Sequence, residues 1–406
     1  MLSFSYTIDH SAVEDTPCPC GSGLSHGKCC GITGASALSG EIAAAINHNG
    51  KLDRGDLPSP VLAAIEQINH SPDLFPTRID YDAGQVLLAK MSPRWYRESS
   101  FLEPNRIKGH CTVLASLDWL TGNPAPARWS ATSLIFHTAF CGSTLMTRAV
   151  ESLYHCMSLR EPEPLSSLLD YTRERGYPDP AEDGATRSAY STLFGLLSRS
   201  YHPEQGVLIK TSDKANALMP TLVNWRGATP VLFMYTPLSE FLAGCLRSAG
   251  RRQWIRERYL LMRPYAEELL GFGEEVVVAD DAIGEMAALY WCYNLTLFYQ
   301  AHEVASGHLY SLDFNAFLAD PMNTLQATAR AFGLSPLPDV DAAQALENVL
   351  GSYSKDTSLS YGVNAREAQI KKTSSKHPGH LKAGEALACA LLGDRYPEEQ
   401  LPGALA

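Results

Sequence analysis

The sequence of 406 residues lacks any continuous apolar run of about 18 residues, the length that a membrane-spanning helix requires. It also lacks an excess of basic charge, since 33 Lys and Arg residues face 44 Asp and Glu residues for a formal net charge of −11. An acidic chain is a poor ligand for nucleic acid or for anionic membrane surfaces. We therefore expect no membrane span and no nucleic-acid partner.

The first 17 residues lack the basic segment and the long apolar core of a secretory signal. Together with 45% hydrophobic and 19% charged residues, this predicts a folded cytoplasmic protein of one large domain or two ordinary ones. Ten cysteines are present. In the cytoplasm they should stay reduced, and close spacing of reduced thiols indicates metal binding.

Four of the cysteines form two short pairs in the stretch "CPCGSGLSHGKCC" at residues 18–30. Two such pairs brought face to face supply four thiolates, the ligand set of a closed tetrahedral zinc site. The stretch resembles the SEC-C motif, a small zinc-binding module, which implies Zn²⁺ ligation and a structural or partner-docking role for residues 1–35. The alternative is a chance cysteine-rich tail. The proposed ligands are Cys18, Cys20, Cys29 and Cys30.

Residues 36–129 are predicted to contain a flexible linker and a small α+β region. The segment 31–42 is rich in small residues, and 59–70 has the spacing of an amphipathic helix. Residues 75–91 read as two extended segments around the turn at 82–84, which predicts a hairpin.

From residue 133 the pattern changes to short apolar strands separated by helical stretches. Strands are predicted at 133–136, 206–210, 229–236 and 308–314, and helices at 143–153 and 323–334. This alternation is typical of an α/β domain in which helices sandwich a parallel sheet. The all-apolar stretch 229–236 predicts a central strand, and ligands of such sheets bind at the carboxyl ends of the strands.

The loop after the first of these strands contains Cys141, Gly142, Ser143 and Thr144 at the start of a helix. Two hydroxyls and successive backbone amides at a helix N-terminus form an anion nest. If Gly142 serves only to let an anion approach, a larger residue there should abolish binding with little loss of stability. Ser143 stands where a Walker loop has its lysine, so ordinary Mg-ATP hydrolysis is not expected. The alternative is a plain strand-to-helix turn.

Four stretches, in chain order, resemble the sulfotransferases. Cys141 to Thr144 matches their phosphosulfate loop P-[KR]-S-G-T-T, and 308–334 matches their C-terminal strand and helix with Asp320-Pro321. The weaker matches are "LREPEPLSSLL" at 159–169 and "TPVLFMYTPLSEFLAG" at 229–244. The resemblance covers about residues 130–335 and implies a sulfotransferase-type P-loop fold over 130–390, with 3′-phosphoadenosine 5′-phosphosulfate as donor.

Three departures from that family remove contacts to the donor. Phe140 occupies the position of the loop Lys or Arg, while Tyr235 and Ala243 occupy those of the arginine and serine that hold the 3′-phosphate. A functional enzyme therefore needs replacements.

Several residues are candidates for that role and for the chemistry. Lys210 ends a strand and should face the ligand crevice, and Arg247 and Arg251, spaced i to i+4, should share one helical face. His137 lies in the loop and could act as acid or base, or could simply tie the loop backbone. The resemblance makes Glu161 the acceptor base, although it could be only a helix-start carboxylate. The arginines could likewise be a solvated face.

The leading hypothesis is therefore a sulfotransferase-like enzyme that transfers a sulfuryl group from a phosphosulfate nucleotide to an unknown acceptor. The first alternative is a phosphotransferase or another nucleotide-using enzyme on the same fold. The second is a noncatalytic adaptor that binds a protein partner through the zinc module.

The cysteine spacing generates a prediction about metal. Protein purified without chelator should contain one zinc per chain, and Cys29→Ser should sharply weaken zinc binding, because a closed site needs all four ligands. The sheet domain should stay folded, since a linker separates it from the module. Metal analysis combined with circular dichroism checks both points, and zinc-free wild-type protein would contradict the assignment.

Overall fold

The computed structural model describes residues 68–103, 112–122, 124, 127–226, 228–272, 278–351, 363–397 and 400–405. The predicted zinc module, the linker and most of the predicted helix at 59–70 lie outside these ranges.

A small antiparallel sheet precedes the main domain. Its strands β1 (Leu74–Asp80), β2 (Gln85–Lys90) and β3 (Thr112–Ser116) pair in sequence order. The hairpin predicted at 75–91 is confirmed, and Gly84 takes the left-handed conformation in its turn, with φ 64°. Two short helices, α1 (Pro93–Glu98) and α2 (Leu117–Gly122), complete this region.

The main sheet has five parallel strands in the order β5-β6-β4-β7-β8. The strands are β4 (Thr132–His137), β5 (Cys156–Arg160), β6 (Gly206–Lys210), β7 (Val231–Tyr235) and β8 (Leu309–Asp313). The predicted α/β class with a parallel sheet is thus confirmed. The strand predicted as central at 229–236 is β7, which lies between β4 and β8, and the middle strand is β4. An all-apolar sequence indicates that both faces of a strand are buried, but it does not indicate which of the interior strands is the middle one.

Helices connect the strands and cover the sheet. In chain order they are α3 (Ser143–Leu153), α4 (Pro164–Glu174), α5 (Gly184–Leu197), α6 (Met219–Trp225), α7 (Leu238–Leu246), α8 (Ala249–Leu270), α9 (Ile283–Val304), α10 (Phe314–Ala319), α11 (Pro321–Phe332), α12 (Ala342–Leu350), α13 (Val363–Lys376) and α14 (Pro378–Leu392). A 3₁₀ helix at Asp213–Leu218 follows β6. In the described chain, none of the helices is both long and apolar enough to cross a bilayer.

The hydrophobic core lies on both faces of the five-stranded sheet. In β7, Val231, Phe233 and Tyr235 belong to one buried cluster, whereas Leu232 and Met234 belong to the other. Because successive side chains of a strand point to opposite faces, a strand with both faces buried must be apolar throughout. The first cluster also contains residues of the small antiparallel sheet, so that region shares a core with the main domain.

Two buried arginines also tie the small region to the main domain. Arg160 at the end of β5 is fully buried; it pairs with Glu151 at 3.0 Å and donates to the carbonyl of Ser99 at 2.9 Å. Arg199 donates to the carbonyls of Ile68 and Leu74. A buried guanidinium needs such partners because an unpaired one would be costly to desolvate.

Residues 400–405 lie beside β8, beyond the domain boundary expected at residue 390. The amide of Ser311 donates to the carbonyl of Gly403 at 2.9 Å, and the amide of Leu405 donates to the carbonyl of Ser311 at 2.9 Å.

Helices α9 and α14 cross at two glycines. A Cβ atom on Gly284 would lie 1.9 Å from the carbonyl oxygen of His380, and one on Gly384 would lie 2.7 Å from the carbonyl oxygen of Gly284. The backbones of the two helices are thus in direct contact, and larger side chains would force them apart.

This crossing predicts that Gly284→Ala lowers the free energy of unfolding by about 1–3 kcal/mol, the usual cost of overpacking. Gly250→Ala is a matched control, because Gly250 is also the second residue of a helix but an added Cβ atom there would meet nothing within 4 Å. That change should be neutral or stabilise by up to about 1 kcal/mol. Urea unfolding of both variants tests the contrast, and equal stabilities would refute the close contact.

Candidate functional site

A cavity of about 510 Å³ opens at the carboxyl ends of β4, β5 and β6. It brings together seven of the residues predicted from sequence and seven that were not. The predicted ones are His137, Gly142, Ser143, Thr144, Glu161, Lys210 and Arg251. The others are Phe101, Glu103, Ala139, Phe140, Asp213, Trp254 and Arg258.

The loop between β4 and α3 has an unusual backbone. Ala139, Phe140 and Gly142 all have positive φ, at 64°, 54° and 72°. The left-handed conformation costs a non-glycine residue about 1–2 kcal/mol. Neighbouring contacts must therefore hold the loop in this shape, which is the kind of backbone that aims amides at a ligand.

His137 supplies two of those contacts from the end of β4. Its Nδ1 accepts from the amide of Ala139 at 3.0 Å, and its Nε2 lies 3.0 Å from the carbonyl oxygen of Thr211. These partners fit the neutral tautomer with hydrogen on Nε2. Both ring nitrogens are engaged with backbone, so the geometry favours the loop-tying alternative over an acid or base role.

Packing and backbone conformation both restrict position 142 to glycine. A Cβ atom at this position would lie 2.0 Å from the ring of Phe314, the first residue of α10. A valine could fit only if this ring moved, and its φ would remain strained. The expectation that Gly142 could be enlarged with little loss of stability is therefore wrong.

The N-terminus of α3 faces the cavity. Gly142 is its N-cap residue and has no side chain with which to cap the first-turn amides, while Ser143 and Thr144 line the cavity wall. The amides of a first helical turn and the helix dipole both favour an anion. Cys141 is fully buried beneath the loop, its Sγ 3.3 Å from the carbonyl oxygen of Met234, and burial raises the pKa of its thiol to about 11. It therefore lies outside the cavity lining.

Lys210 and Glu161 form an ion pair on the cavity wall. Lys210 is the last residue of β6 and is 1% exposed at its side chain, against 15% for Glu161. Glu161 follows β5 with φ 53°, and its amide donates to the carbonyl of Lys210 at 2.7 Å. The backbone contact between the two strand ends thus fixes the pair.

Helix α8 contributes one face to the cavity, consisting of Arg251, Trp254 and Arg258 at spacing i, i+3, i+7. The guanidinium carbon of Arg251 lies 4.1 Å from the ring centroid of Phe140, and its Nη1 donates to the carbonyl of Gly244 at 3.0 Å. The ring of Trp254 packs on Phe140 with centroids 4.8 Å apart.

Arg247 does not join this face, so the expectation that it shares a helical face with Arg251 is wrong. Helix α7 ends at Leu246, and α8 begins at Ala249 after Ser248 caps it by accepting from the amide of Arg251 at 3.3 Å. The extended backbone of Ser248 breaks the helical spacing, and Arg247 is exposed outside the cavity.

Asp213 anchors α8 and α9 to the floor of the cavity. It accepts from Arg258 Nε at 2.6 Å and from the Tyr290 hydroxyl at 2.5 Å. Burial alone would raise the pKa of this carboxyl, but the charge and hydrogen bonds of Arg258 and the Tyr290 hydroxyl outweigh burial and lower the pKa to about 2. Asp213 is therefore an ionised structural carboxylate.

The residues at the other two departures from the sulfotransferase pattern do not line the cavity. Tyr235 is buried, and its hydroxyl accepts from the amide of Leu401 at 3.2 Å. Ala243 is buried in α7.

Some of the residues that sequence reasoning missed carried a readable signal. The stretch "RRQWIRER" has the helical spacing that places Arg251, Trp254 and Arg258 on one face. Phe101 and Glu103 follow α1 and carried no such signal, because they reach the cavity only through the packing of the small region onto the sheet.

The described part of the chain contains no cluster of three or more His, Cys, Asp or Glu side chains suited to a metal ion. The two cysteine pairs lie outside that part. In comparisons with known proteins, no family model matched the chain, and no curated protein was significantly similar to it.

The Asp213 cluster predicts a pH-dependent stability. Asp213→Asn leaves Arg258 unpaired and should cost about 3–5 kcal/mol at pH 7. Because the folded-state pKa is depressed, the carboxylate stabilises the fold above about pH 4, and this stabilisation is lost as the pH falls towards about 2. Urea unfolding should therefore show that the difference in the free energy of unfolding between wild type and variant becomes smaller between pH 4 and pH 3.

The control is Asp170→Asn, whose carboxylate is 57% exposed and pairs with Arg173. It should cost less than about 1 kcal/mol at either pH. If the difference in the free energy of unfolding between wild type and Asp213→Asn stays constant with pH, the assignment of Asp213 as an ionised carboxylate is contradicted.

Proposed function

We propose that the chain is a sulfotransferase-like enzyme that transfers a sulfuryl group from a phosphosulfate nucleotide to an acceptor. The observation that carries this proposal is the single cavity in which the α3 N-terminus, Lys210 and Glu161 meet. An anion nest, a buried cation and a carboxylate are the three groups that the reaction needs.

The donor occupies the nest by its 5′-phosphosulfate. Amides at the start of α3 and the hydroxyls of Ser143 and Thr144 contact its oxygens, and Lys210 balances the charge that develops on the leaving phosphate. These donors are fixed before the ligand arrives, because the loop is held by His137 and Lys210 by its strand. Preorganised donors cost no reorganisation during the reaction.

Glu161 serves as the acceptor base. The acceptor oxygen attacks sulfur, the bond between sulfur and the bridging phosphate oxygen breaks, and the acceptor proton passes to the Glu161 carboxylate. The products are the sulfated acceptor and 3′-phosphoadenosine 5′-phosphate. Phe101 and Glu103 from the small region line the same cavity, and the ring centroid of Phe101 lies 5.7 Å from Lys210 Nζ. The acceptor therefore approaches between that region and the sheet.

The four N-terminal cysteines hold one Zn²⁺ in this proposal, on the strength of their spacing alone. A closed four-thiolate site has no open position for substrate, so its role is structural or a contact with a protein partner.

The proposal predicts that the wild-type protein binds 3′-phosphoadenosine 5′-phosphate in titration calorimetry. Lys210→Ala should weaken this binding about tenfold to a hundredfold, since a charge-assisted hydrogen bond contributes about 1.5–3 kcal/mol. Lys214→Ala is the matched control and should bind like wild type, because Lys214 follows the same strand but is exposed and does not line the cavity.

Wild-type protein that ignores this nucleotide at millimolar concentration would overturn the sulfotransferase assignment. Binding of adenosine triphosphate in its place would favour the phosphotransferase alternative. Melting temperatures of both variants, measured alongside, separate loss of binding from loss of folding.

A further inference from the structure

The loop and first helical turn that form the proposed anion nest contain no basic residue. Between residues 129 and 147 there is neither lysine nor arginine. The next basic residue, Arg148, does not line the cavity; its guanidinium donates to the carbonyl of Arg97 at 3.4 Å and to the hydroxyl of Ser100 at 3.3 Å. A phosphate held by backbone amides alone would lack the countercharge that phosphate-binding loops normally place beside it.

A cation reaches the nest from another element. Arg251 projects from α8, and its guanidinium lies over the ring of Phe140, 4.1 Å from the centroid. Both residues line the cavity with Ser143 and Thr144. Phe140 is two residues before the N-cap of α3, so the guanidinium lies over the loop that leads into that helix.

The ring of Phe140 is itself fixed. Its centroid is 4.8 Å from that of Trp254 and 6.0 Å from that of Phe241, and its backbone is held in the left-handed turn. The face of an aromatic ring attracts a guanidinium, and Arg is the cation that stacks best because it is planar and weakly hydrated. The hydrogen bond from Arg251 Nη1 to the Gly244 carbonyl is a second contact that orients the same guanidinium.

We propose that Arg251, positioned by the ring of Phe140, is a second countercharge, beside Lys210, for the anion bound at the start of α3. In this arrangement the loop carries an aromatic ring instead of a cation, and the ring holds a cation that α8 supplies. Arg251 contacts the bound anion, and Phe140 is a positioning residue that acts through Arg251. This inference rests on the proposed anion site but not on the identity of the nucleotide.

The experiment uses the full-length protein and inorganic pyrophosphate, titrated by calorimetry. Arg251→Ala should weaken pyrophosphate binding at least tenfold, as expected for loss of one charge-assisted hydrogen bond. Phe140→Leu keeps apolar bulk but removes the ring face, and should weaken binding about threefold. The double variant Phe140→Lys with Arg251→Ala returns a cation to the loop and should recover most of the lost affinity.

Arg252→Ala is the matched control. It removes the same charge one residue away, and Arg252 also donates its Nη1 to a backbone carbonyl, that of Leu246 at 2.9 Å, but it does not line the cavity. It should bind pyrophosphate like wild type. A structural role alone would not produce rescue by lysine, so the double variant separates positioning of charge from stability.

The inference is overturned if wild type does not bind pyrophosphate, if Arg251→Ala binds as wild type does, or if the double variant gives no recovery. The inference and the proposed function can fail independently of each other. Pyrophosphate binding that depends on Arg251, in a protein that ignores 3′-phosphoadenosine 5′-phosphate, supports the inference and refutes the sulfotransferase assignment. Binding of 3′-phosphoadenosine 5′-phosphate that does not change in Arg251→Ala supports the sulfotransferase assignment and refutes the inference.

Discussion

The imidazole of His137 joins the two backbone segments on which the cavity depends. Through Nδ1 it holds the amide of Ala139, and with it the left-handed turn of the loop; through Nε2 it holds the carbonyl of Thr211, directly after Lys210. One neutral ring therefore ties the loop before α3 to the strand end that carries the buried Lys210. Asn216 adds to this clamp by donating to the carbonyl of His137 at 2.8 Å.

Backbone strain is concentrated at the same place. Of the five non-glycine residues with positive φ in the described ranges, Ala139, Phe140 and Glu161 line the cavity. Each costs folding free energy, and surrounding structure must compensate. Such clusters are typical of sites where side chains or amides are aimed at a ligand rather than relaxed into the most stable turn. The strained residues of the site lower the stability of the fold. The hydrophobic core on both faces of the five-stranded sheet compensates for this loss.

The sequence predicted the elements whose signal is local. Four of the five parallel strands, the helix after the loop and the hairpin at 75–91 follow from periodicity and turn residues. The rule that ligands bind at strand ends placed Lys210 at the cavity. Glu161 was named only through the resemblance, because the strand before it, β5, was not predicted. Two of the wrong expectations have different causes. The need for Gly142 comes from Phe314, which is far along the chain and is not contained in the periodicity of one segment. The position of Arg247 is decided by a local signal, the N-cap at Ser248, which the i to i+4 spacing ignored.

The pairing of residues 400–405 with β8 affects how the protein can associate with other protein molecules. β8 is the last strand of the five, and an edge strand offers a row of unsatisfied amides and carbonyls to any passing chain. The parallel bridge between Ser311 and Ala404 occupies part of that row with the protein's own backbone. This short stretch therefore leaves fewer backbone groups of β8 open to strand addition by a second molecule.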